Sequence, residues 1–169
     1  MTIELLTREN FNVCSLDSFK RTQRVKRSYR KIDGSYKIVE HEYIMDWSPE
    51  KKRDVASELL SDDCISYLAI ERDRIIGFAS VSKTKIEGYM IAELVQVDAD
   101  MRRRGIGRML FEGLLDEAYK ANAKGLYISA CSSEETVGFY LAMGCRITET
   151  PIESLAAAEP CDVQMEYLF

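Results

Sequence analysis

A strand, a helix and a second strand are predicted in succession between residues 91 and 131, and this unit constrains the fold more than any other part of the chain. Residues 91–98 and 125–131 are mostly apolar runs, and residues 106–121 carry apolar side chains at helical spacing. A helical crossover between two strands of one sheet makes those strands parallel. The sequence therefore predicts a parallel strand pair with its helix packed on the sheet.

Antiparallel strands are predicted on both sides of this pair. Residues 65–71 and 74–82 are apolar runs joined by a short charged connection, which is typical of a hairpin. Residues 145–150 and 161–169 are predicted as two closing strands, and residues 2–6 as a first one. We therefore expect an α+β fold with a mixed, mostly antiparallel sheet.

The first third of the chain mixes helical and hairpin signals. Residues 7–25 are predicted to be helical, in one or two pieces, since Ser15 can cap a second helix. Asp33-Gly34 stands between β-prone residues and is a favoured two-residue hairpin turn. A further helix is predicted after Ser48, which is a good N-cap residue and is followed by proline.

Composition and charge exclude several classes of protein. A length of 169 residues with 46% hydrophobic content suits one domain with a buried core, and the net charge of -5 argues against a nucleic-acid binder. No apolar run approaches the roughly 18 residues of a membrane span, and the first residues lack a secretory signal. Five scattered cysteines without a CxxC pair, and a single histidine, argue against a zinc site. We expect reduced thiols, a cytoplasmic location, no metal and no membrane partner.

Three arginines and two glycines stand where the predicted helix begins at residue 106. The N-terminus of a helix exposes backbone N–H groups and carries about half a positive charge, so it attracts anions. Gly105 and Gly107 allow close approach to the amides, and the arginines at 102–104 add donors that suit phosphate. The turn predicts a pyrophosphate site, although a basic helix cap facing solvent fits the same residues.

The two commonest nucleotide-binding motifs do not fit this turn. A P-loop requires lysine and then serine or threonine after the last glycine, and Gly107 is followed by Arg108 and Met109. A dinucleotide-binding fingerprint requires a third glycine where Leu110 stands. The turn alone therefore does not identify its phosphate ligand.

The sequence around the turn resembles the GCN5-related N-acetyltransferase (GNAT) superfamily over about residues 65–169. The family's acyl-CoA motif, [Q/R]-x-x-G-x-[G/A] at a strand-to-helix turn, is matched by RRRGIG at residues 102–107. Its second motif, a capped helix that carries FYxxxGF, is matched from Ser133 to the segment FYLAMGC at residues 139–145. Ser133 stands where the family often has Asn, and Cys145 where Phe is commonest.

This resemblance implies a GNAT fold in which acetyl-CoA enters a splayed gap between the two parallel strands, with helices on both faces of the sheet. The pantetheine arm would pair with the backbone of residues 95–97, and the pyrophosphate would meet the amides of residues 103–108. The residues implied in acetyl-CoA binding are Val95, Gln96, Val97, Arg102, Arg103, Arg104, Gly105, Ile106, Gly107, Arg108, Ser133 and Tyr140. The implied reaction is direct transfer of the acetyl group to an amine, without a covalent enzyme intermediate.

Two side chains are candidates for the chemistry. Tyr140 matches the family's general acid, and a hydrogen bond from its phenol would stabilise the CoA thiolate as it leaves. Glu93 is the candidate base for the attacking amine, because it shares a predicted strand face with Val95 and Val97. The alternatives are a buried helix tyrosine and a solvent-facing or salt-bridged acid.

The acceptor is less constrained than the cosubstrate. We expect one N-acetyltransferase domain over residues 1–169, with a variable acceptor side at 1–62 and an acyl-CoA-binding core at 63–169. Residues 20–31 include seven basic residues among twelve, which fits a solvated helix face or a site for an acidic acceptor, the CoA 3′-phosphate or RNA. A small-molecule or peptide amine is the expected acceptor, and homodimer formation stays open. A non-catalytic acyl-CoA-binding regulator and an interaction domain without CoA are the alternative functions.

Overall fold

The computed structural model describes residues 1–169, which form nine strands and four helices. The strands are β1 Thr2–Leu5, β2 Gln23–Ile32, β3 Ser35–Met45, β4 Cys64–Glu71, β5 Arg74–Ile86, β6 Tyr89–Val97, β7 Gly125–Ala130, β8 Arg146–Ile147 and β9 Val163–Leu168. The helices are α1 Pro49–Leu59, α2 Ile106–Lys120, α3 Glu134–Ala142 and α4 Glu153–Ala158, and a short 3-10 turn covers Ala99–Met101.

Seven strands form the main sheet, in the spatial order β1-β4-β5-β6-β7-β9-β8. β6 and β7 are parallel, and every other neighbouring pair in this sheet is antiparallel. α2 is the crossover between the two parallel strands, as the strand–helix–strand pattern predicts. The α+β class and the mixed sheet with a central parallel pair are therefore confirmed. β2 and β3 form a separate two-stranded hairpin.

Helices cover both faces of the main sheet, as expected. Phe78 and Ala79 are neighbours in β5 and point to opposite faces, and they belong to two different apolar clusters. The cluster around Phe78 contains α1, whereas the larger cluster around Ala79 contains α2 and α3. No helix of the structure has the length and apolar character needed to cross a membrane.

The prediction of a helix over residues 7–25 is wrong. This segment consists of turns followed by the beginning of β2. Phe11, Leu16 and Phe19 anchor it, because their side chains are buried in the same cluster as α1. The basic residues at 20–31 therefore lie mainly in a strand and not on a helix face.

Local hydrogen bonds explain why this segment is not helical. Asn10 Oδ1 accepts from the backbone N–H of Thr7 at 2.8 Å, and Asn12 Oδ1 accepts from that of Cys14 at 2.9 Å. Ser15 caps no helix, and its Oγ accepts from the backbone N–H of Asn12 at 2.9 Å. Such side-chain bonds offer the backbone an alternative to the helical pattern, and here that alternative prevails.

The hairpin turn and the α1 cap are confirmed. Asp33 and Gly34 connect β2 to β3 with φ values of 50° and 80°, the left-handed backbone that a two-residue hairpin turn requires. Ser48 caps α1, since its Oγ accepts from the backbone N–H of Lys51 at 3.2 Å, and Pro49 begins the helix.

The C-terminal region differs from the prediction in two places. The strand predicted over residues 145–150 is reduced to the two residues of β8. The short helix α4 was not predicted, and it packs Leu155 beside Ile152 and Tyr127. A six-residue helix carries too few apolar positions for its period to be recognised in the sequence.

Candidate active site

The parallel strands are joined only where they begin. β6 and β7 pair over three residues, of which the last pair is Ile91 with Tyr127. Beyond Ile91 the edge of β6 that faces β7 has no strand partner, while the opposite edge stays paired with β5 as far as Val97. The strands therefore open into a gap that offers free backbone hydrogen-bonding groups.

A β-bulge lies where the strands separate. Val81 of β5 pairs with Ala92, and Ser80 pairs with Leu94, so Glu93 is the extra residue of β6. A bulge bends its strand and increases its local twist, which accounts for the divergence of β6 from β7. Nothing in the apolar pattern of β6 predicts this bulge.

The N-terminus of α2 borders the same opening. Gly105 is the N-cap residue with φ of 79°, and no side chain caps the helix. The first helical hydrogen bond runs from Met109 N to Gly105 O, so the amides of residues 106–108 have no helical acceptor. Arg103 also has a positive φ, 64°, which is unfavourable for a residue with a side chain. Uncapped amides at the N-terminus of a helix are able to bind an anion.

Gly107 allows the beginning of α2 to pack closely. A Cβ atom at this position would lie 3.1 Å from Phe139 Cε2 and 3.6 Å from Val97 Cγ2. A larger residue would have to displace the Phe139 ring or extend into the gap, so glycine serves both the packing and the exposure of the amides.

Asp98 fixes the loop between β6 and α2. Its side chain is fully buried, and Oδ2 accepts from the backbone N–H of Lys20 at 3.0 Å and from Arg74 Nη2 at 2.5 Å. Oδ1 accepts from the backbone N–H of Asp100 at 3.0 Å. One carboxylate therefore ties the loop to β5 and to the segment before β2.

A cleft of about 750 Å³ joins the strand gap to the N-terminus of α2. The predicted site residues that line it are Glu93, Val95, Gln96, Val97, Arg102, Arg103, Gly105, Ile106, Gly107, Arg108 and Tyr140. Arg104 and Ser133 are the predicted residues that do not line it. The structure thus brings together a set of residues that span almost fifty positions of the chain.

The side chains of three predicted binding residues have hydrogen-bond partners within the protein. Arg104 Nη2 lies 2.9 Å from Glu71 Oε1 in an ion pair. Ser133 is fully buried and caps α3, with its Oγ accepting from the backbone N–H of Thr136 at 3.2 Å. Arg102 lines the cleft, but its Nε and Nη2 donate to backbone carbonyl oxygens at 3.3 and 3.1 Å. These contacts give all three a structural role, and their contacts with acetyl-CoA stay predictions.

Tyr140 lies in the cleft with its ring held by aromatic neighbours. The ring centroid is 5.7 Å from that of Phe111 and 5.1 Å from that of Phe139. The side chain is 7% exposed, and its hydroxyl has no hydrogen-bond partner in the protein. Burial raises the pKa of Tyr140 above its usual range, so the phenol is neutral and its O–H is available as a donor.

Glu93 extends into the cleft from the bulge. The bulge interrupts the strand alternation, so a face shared with Val95 and Val97 is no longer the reason for its position. Although the residue is accessible to solvent, the surrounding walls displace water from its carboxylate and raise its pKa, and the negative charges of Glu159 and Glu58 add to this shift. A raised pKa makes Glu93 a better proton acceptor than an ordinary glutamate.

Two further acids line the same cleft from the segment between α4 and β9. Burial raises the pKa of Asp162 to about 6, and the charge of Glu159 and a hydrogen bond between the two side chains add to the shift. Neither acid was a candidate from sequence, because nothing in the pattern places residues 159–162 near β6.

The other wall of the cleft includes Arg21, Gln23 and Arg24. Arg21 Nη1 donates to Gln23 Oε1 at 3.3 Å, and Gln23 Nε2 donates to Ser133 Oγ at 3.2 Å. The basic residues at 20–31 drew attention to this region. Because part of it was predicted to be a helix, the side chains that face the cleft could not be identified from the sequence.

Comparison with known families gives a match to the family model described as the acetyltransferase (GNAT) family, over residues 32–145. The search of curated proteins gives no match.

Solved structures resemble the chain along its whole length. A Bacillus anthracis protein assigned as a streptothricin acetyltransferase, solved in complex with acetyl coenzyme A, is 19% identical with a TM-score of 0.76, and the match covers 99% of this chain and 98% of that one. A nourseothricin acetyltransferase is 13% identical with a TM-score of 0.76, and the match covers 99% of this chain and 97% of that one. An aminoglycoside 6′-N-acetyltransferase complexed with coenzyme A is 14% identical with a TM-score of 0.64, and the match covers 99% of this chain and 97% of that one. At these identities the likeness concerns the fold.

Proposed function

The chain belongs to the acetyltransferase (GNAT) family, and from this premise we propose that it transfers an acetyl group from acetyl-CoA directly to the nitrogen of an amine acceptor. The observation that carries the proposal is the opening of β6 from β7 beside the uncapped N-terminus of α2. An extended arm with a pyrophosphate at one end matches this combination of free strand edge and free amides. The solved complexes with acetyl coenzyme A and coenzyme A in proteins of the same fold support the choice of cosubstrate.

The cosubstrate would be held mainly by the main chain. The pantetheine arm pairs with the free edge of residues 95–97, and the pyrophosphate accepts from the amides of residues 103–108. Charge-assisted hydrogen bonds of this kind contribute about 1.5–3 kcal/mol each. The loop keeps this geometry because Asp98 is buried and fully bonded.

The acceptor amine must lose a proton to become a nucleophile. For an amine with a pKa near 10.4, the neutral form costs roughly 4–5 kcal/mol at pH 7. Glu93 is placed to take this proton, directly or through a water molecule. Its raised pKa brings it closer to the operating pH, where a general base is most effective.

The departing sulfur needs stabilisation as the new bond forms. The amine nitrogen attacks the thioester carbon, the carbon–sulfur bond breaks, and the sulfur leaves as a thiolate. Tyr140 would donate a hydrogen bond to that sulfur, since its phenol is neutral, buried and without a partner in the protein. A phenol is a weaker acid than a thiol, so the hydrogen bond stabilises the thiolate without a complete proton transfer.

The two parts of the chain would then have different tasks. Residues 63–169 form the acyl-CoA-binding core, and residues 1–62 form the acceptor side through the hairpin and the segment before it. All five cysteines are free, including the exposed Cys14 and Cys161, which supports a reducing compartment and a cytoplasmic location.

The test is turnover on a panel of amines with acetyl-CoA. Thiol release is measured for diamines, amino acids, peptide N-termini and aminoglycosides, and mass spectrometry locates the added acetyl group. We expect thiol release that depends on at least one amine, with the acetyl group on its nitrogen. Binding of acetyl-CoA in a calorimeter without release on any amine would contradict catalysis and favour a non-catalytic acyl-CoA-binding domain. Absence of CoA binding would contradict both and leave an interaction domain.

A further inference from the structure

Arg21 is a buried cation with unused hydrogen-bond donors at the edge of the cleft. The residue is only 5% exposed, and its Nη1 donates to Gln23 Oε1 at 3.3 Å. Nε is buried without any partner, and Nη2 has no partner in the protein either. A guanidinium stays charged in proteins, and a buried charge normally has a counter-charge.

The protein supplies no ion-pair partner for this cation. No carboxylate oxygen lies within ion-pair distance of Arg21. The carboxylate of Asp46 exerts an attraction, but its two oxygens accept from Thr22 Oγ1 and from the backbone N–H of Trp47, each at 2.8 Å. Burial and the neighbouring positive charge of Arg102 both lower the pKa of Arg21. The charge of Arg21 is therefore less favourable in the free protein than in a complex with an anion.

The Arg21 side chain packs toward the face of the sheet that carries α1, while its backbone oxygen accepts from Arg102 Nη2 at 3.1 Å. Its guanidinium carbon is 5.4 Å from the centroid of the Trp47 ring, and that ring stacks on Phe78 with centroids 6.3 Å apart. Phe78 faces α1, whereas Tyr140 and the beginning of α2 belong to the cluster on the other face. Because the guanidinium packs on the α1 side, a contact of Arg21 with the second reactant is favoured over one with a cosubstrate held by the amides of α2.

The cleft contains both acids and a buried cation without an ion pair. Glu93, Glu159 and Asp162 provide carboxylates, and Arg21 provides a cation that has no partner. An acceptor that places its amine near Glu93 could reach Arg21 with an anionic group of its own. The planar fork of a guanidinium fits a carboxylate better than any other common biological anion except phosphate.

We infer that Arg21 binds the carboxylate of an acceptor that is both an amine and a carboxylic acid, such as an amino acid or a peptide. This inference rests on the proposed function and adds the class of acceptor. Arg21 is then a specificity-determining residue of the acceptor site.

The experiment compares each acid with its own amide. Glycine, β-alanine, lysine and a dipeptide are each assayed beside the corresponding carboxamide, with saturating acetyl-CoA, in the wild type and in Arg21→Met. The ratio of kcat/KM for acid to that for amide in the wild type is divided by the same ratio in the variant. This double ratio cancels the difference in amine basicity between the two compounds and leaves the coupling between Arg21 and the carboxylate. We expect a double ratio of about 10 to 100, the range that one hydrogen-bonded charge pair provides.

Lys26→Met is the matched control. Lys26 lies in β2, five residues after Arg21, is exposed, and its side chain makes no hydrogen bond or ion pair, so its removal changes the net charge equally and should give a double ratio near 1. Arg21→Lys keeps the positive charge but lacks the planar guanidinium, so it should give an intermediate double ratio. It also serves as the test variant if Arg21→Met does not fold.

Three results would overturn the assignment. The first is a double ratio within about twofold for every pair, and the second is turnover confined to the diamines and aminoglycosides. The third is a rise in the KM for acetyl-CoA in Arg21→Met with equal losses for acid and amide, which would place Arg21 against the cosubstrate. Absence of turnover with any amine in the wild type is a different outcome, because it contradicts the proposed function itself.

Discussion

One wall of the cleft is formed by main-chain groups, and the other is formed by side chains. The backbone wall consists of the free edge of β6 at residues 94–97 and the amides of residues 103–108, and it presents main-chain groups. The side-chain wall consists of Arg21, Gln23, Glu159 and Asp162, and it presents charged and amide side chains. The first wall packs against the main apolar cluster, whereas the second is held by hydrogen bonds between side chains.

This difference suits the two walls to different ligands, one common to many enzymes and one specific to this protein. Main-chain amides are present whatever the side chains are, so the backbone wall suits a cosubstrate common to many enzymes, provided that glycine keeps the amides accessible. A side-chain wall can change its charge and shape by single substitutions that leave the fold intact. We therefore expect substitutions on the backbone wall to affect cosubstrate binding and those on the side-chain wall to affect the choice of acceptor.

The largest effect is expected from Gly107→Glu. A glutamate here would either displace the Phe139 ring or occupy the gap, since a Cβ already lies 3.1 Å from that ring, and its charge would repel phosphate. Loss of two charge-assisted bonds of about 1.5–3 kcal/mol each corresponds to about 150- to 20,000-fold weaker binding. Calorimetric titration with CoA measures this directly.

Gly107→Ala is the control for this substitution. It introduces the same close contact with Phe139 without charge or length, so we expect CoA affinity within about tenfold of the wild type. An unchanged affinity in Gly107→Glu would mean that the amides of α2 do not hold the cosubstrate, and the distinction between the two walls would fail.

The backbone wall was also the more predictable of the two. Its strand, turn and helix are adjacent in sequence, and each carries a clear signal: an apolar run, two glycines among arginines, and apolar residues at helical spacing. The bulge at Glu93 was not predictable, because it depends on how β6 pairs with β5 and not on the residues of β6 alone.

The side-chain wall escaped prediction for two physical reasons. Arg21 lies in the segment that is predicted to be helical, and hydrogen bonds that the Asn10 and Asn12 side chains accept from the backbone override that preference. Glu159 and Asp162 reach the cleft only through the packing of the C-terminal segment on the sheet, a long-range contact for which one sequence offers no pattern. Tyr140, in contrast, was identified through a motif and not through its environment.

Tyr140→Phe is expected to have the next largest effect. The substitution removes only the hydroxyl, and the ring keeps its contacts with Phe111 and Phe139. If the hydroxyl stabilises the departing thiolate, kcat should fall by about 10²–10⁴-fold, while CoA affinity changes little. Steady-state kinetics and CoA titration on the same preparation separate these quantities. A kcat within about twofold of the wild type, with chemistry rate-limiting, would reduce Tyr140 to packing.

Glu93→Gln should lower the rate by a smaller and pH-dependent amount. The ionised carboxylate is the active form, so the wild-type kcat/KM should decrease as pH falls through the raised pKa of Glu93. The glutamine variant should lack this decrease at low pH. Its kcat/KM should be lowest relative to the wild type above that pKa, by about 10- to 100-fold. The pH profile of kcat/KM is the measurement, and an amine of different basicity serves as the control, because a limb that belongs to the amine moves with it. A variant whose profile keeps the height and shape of the wild type would exclude Glu93 as the base.

The smallest effect is expected from Asp162→Asn, and it concerns the stability of the side-chain wall. The folded protein raises the pKa of Asp162 to about 6 from 3.8, so it binds this proton more tightly than the unfolded chain does. The resulting stabilisation is complete below the unfolded pKa and is lost as pH rises through about 6. Asparagine resembles the protonated acid and can still donate to Glu159, so the variant should melt about 2–4 °C higher than the wild type at pH 8, roughly 1 kcal/mol for a chain of this size. The difference should vanish near pH 4. Glu149→Gln, at an exposed acid outside the cleft, makes the same change in net charge. If that variant gave the same pH-dependent gain in melting temperature, the effect would belong to the overall charge of the protein and not to the enclosed acids of the cleft.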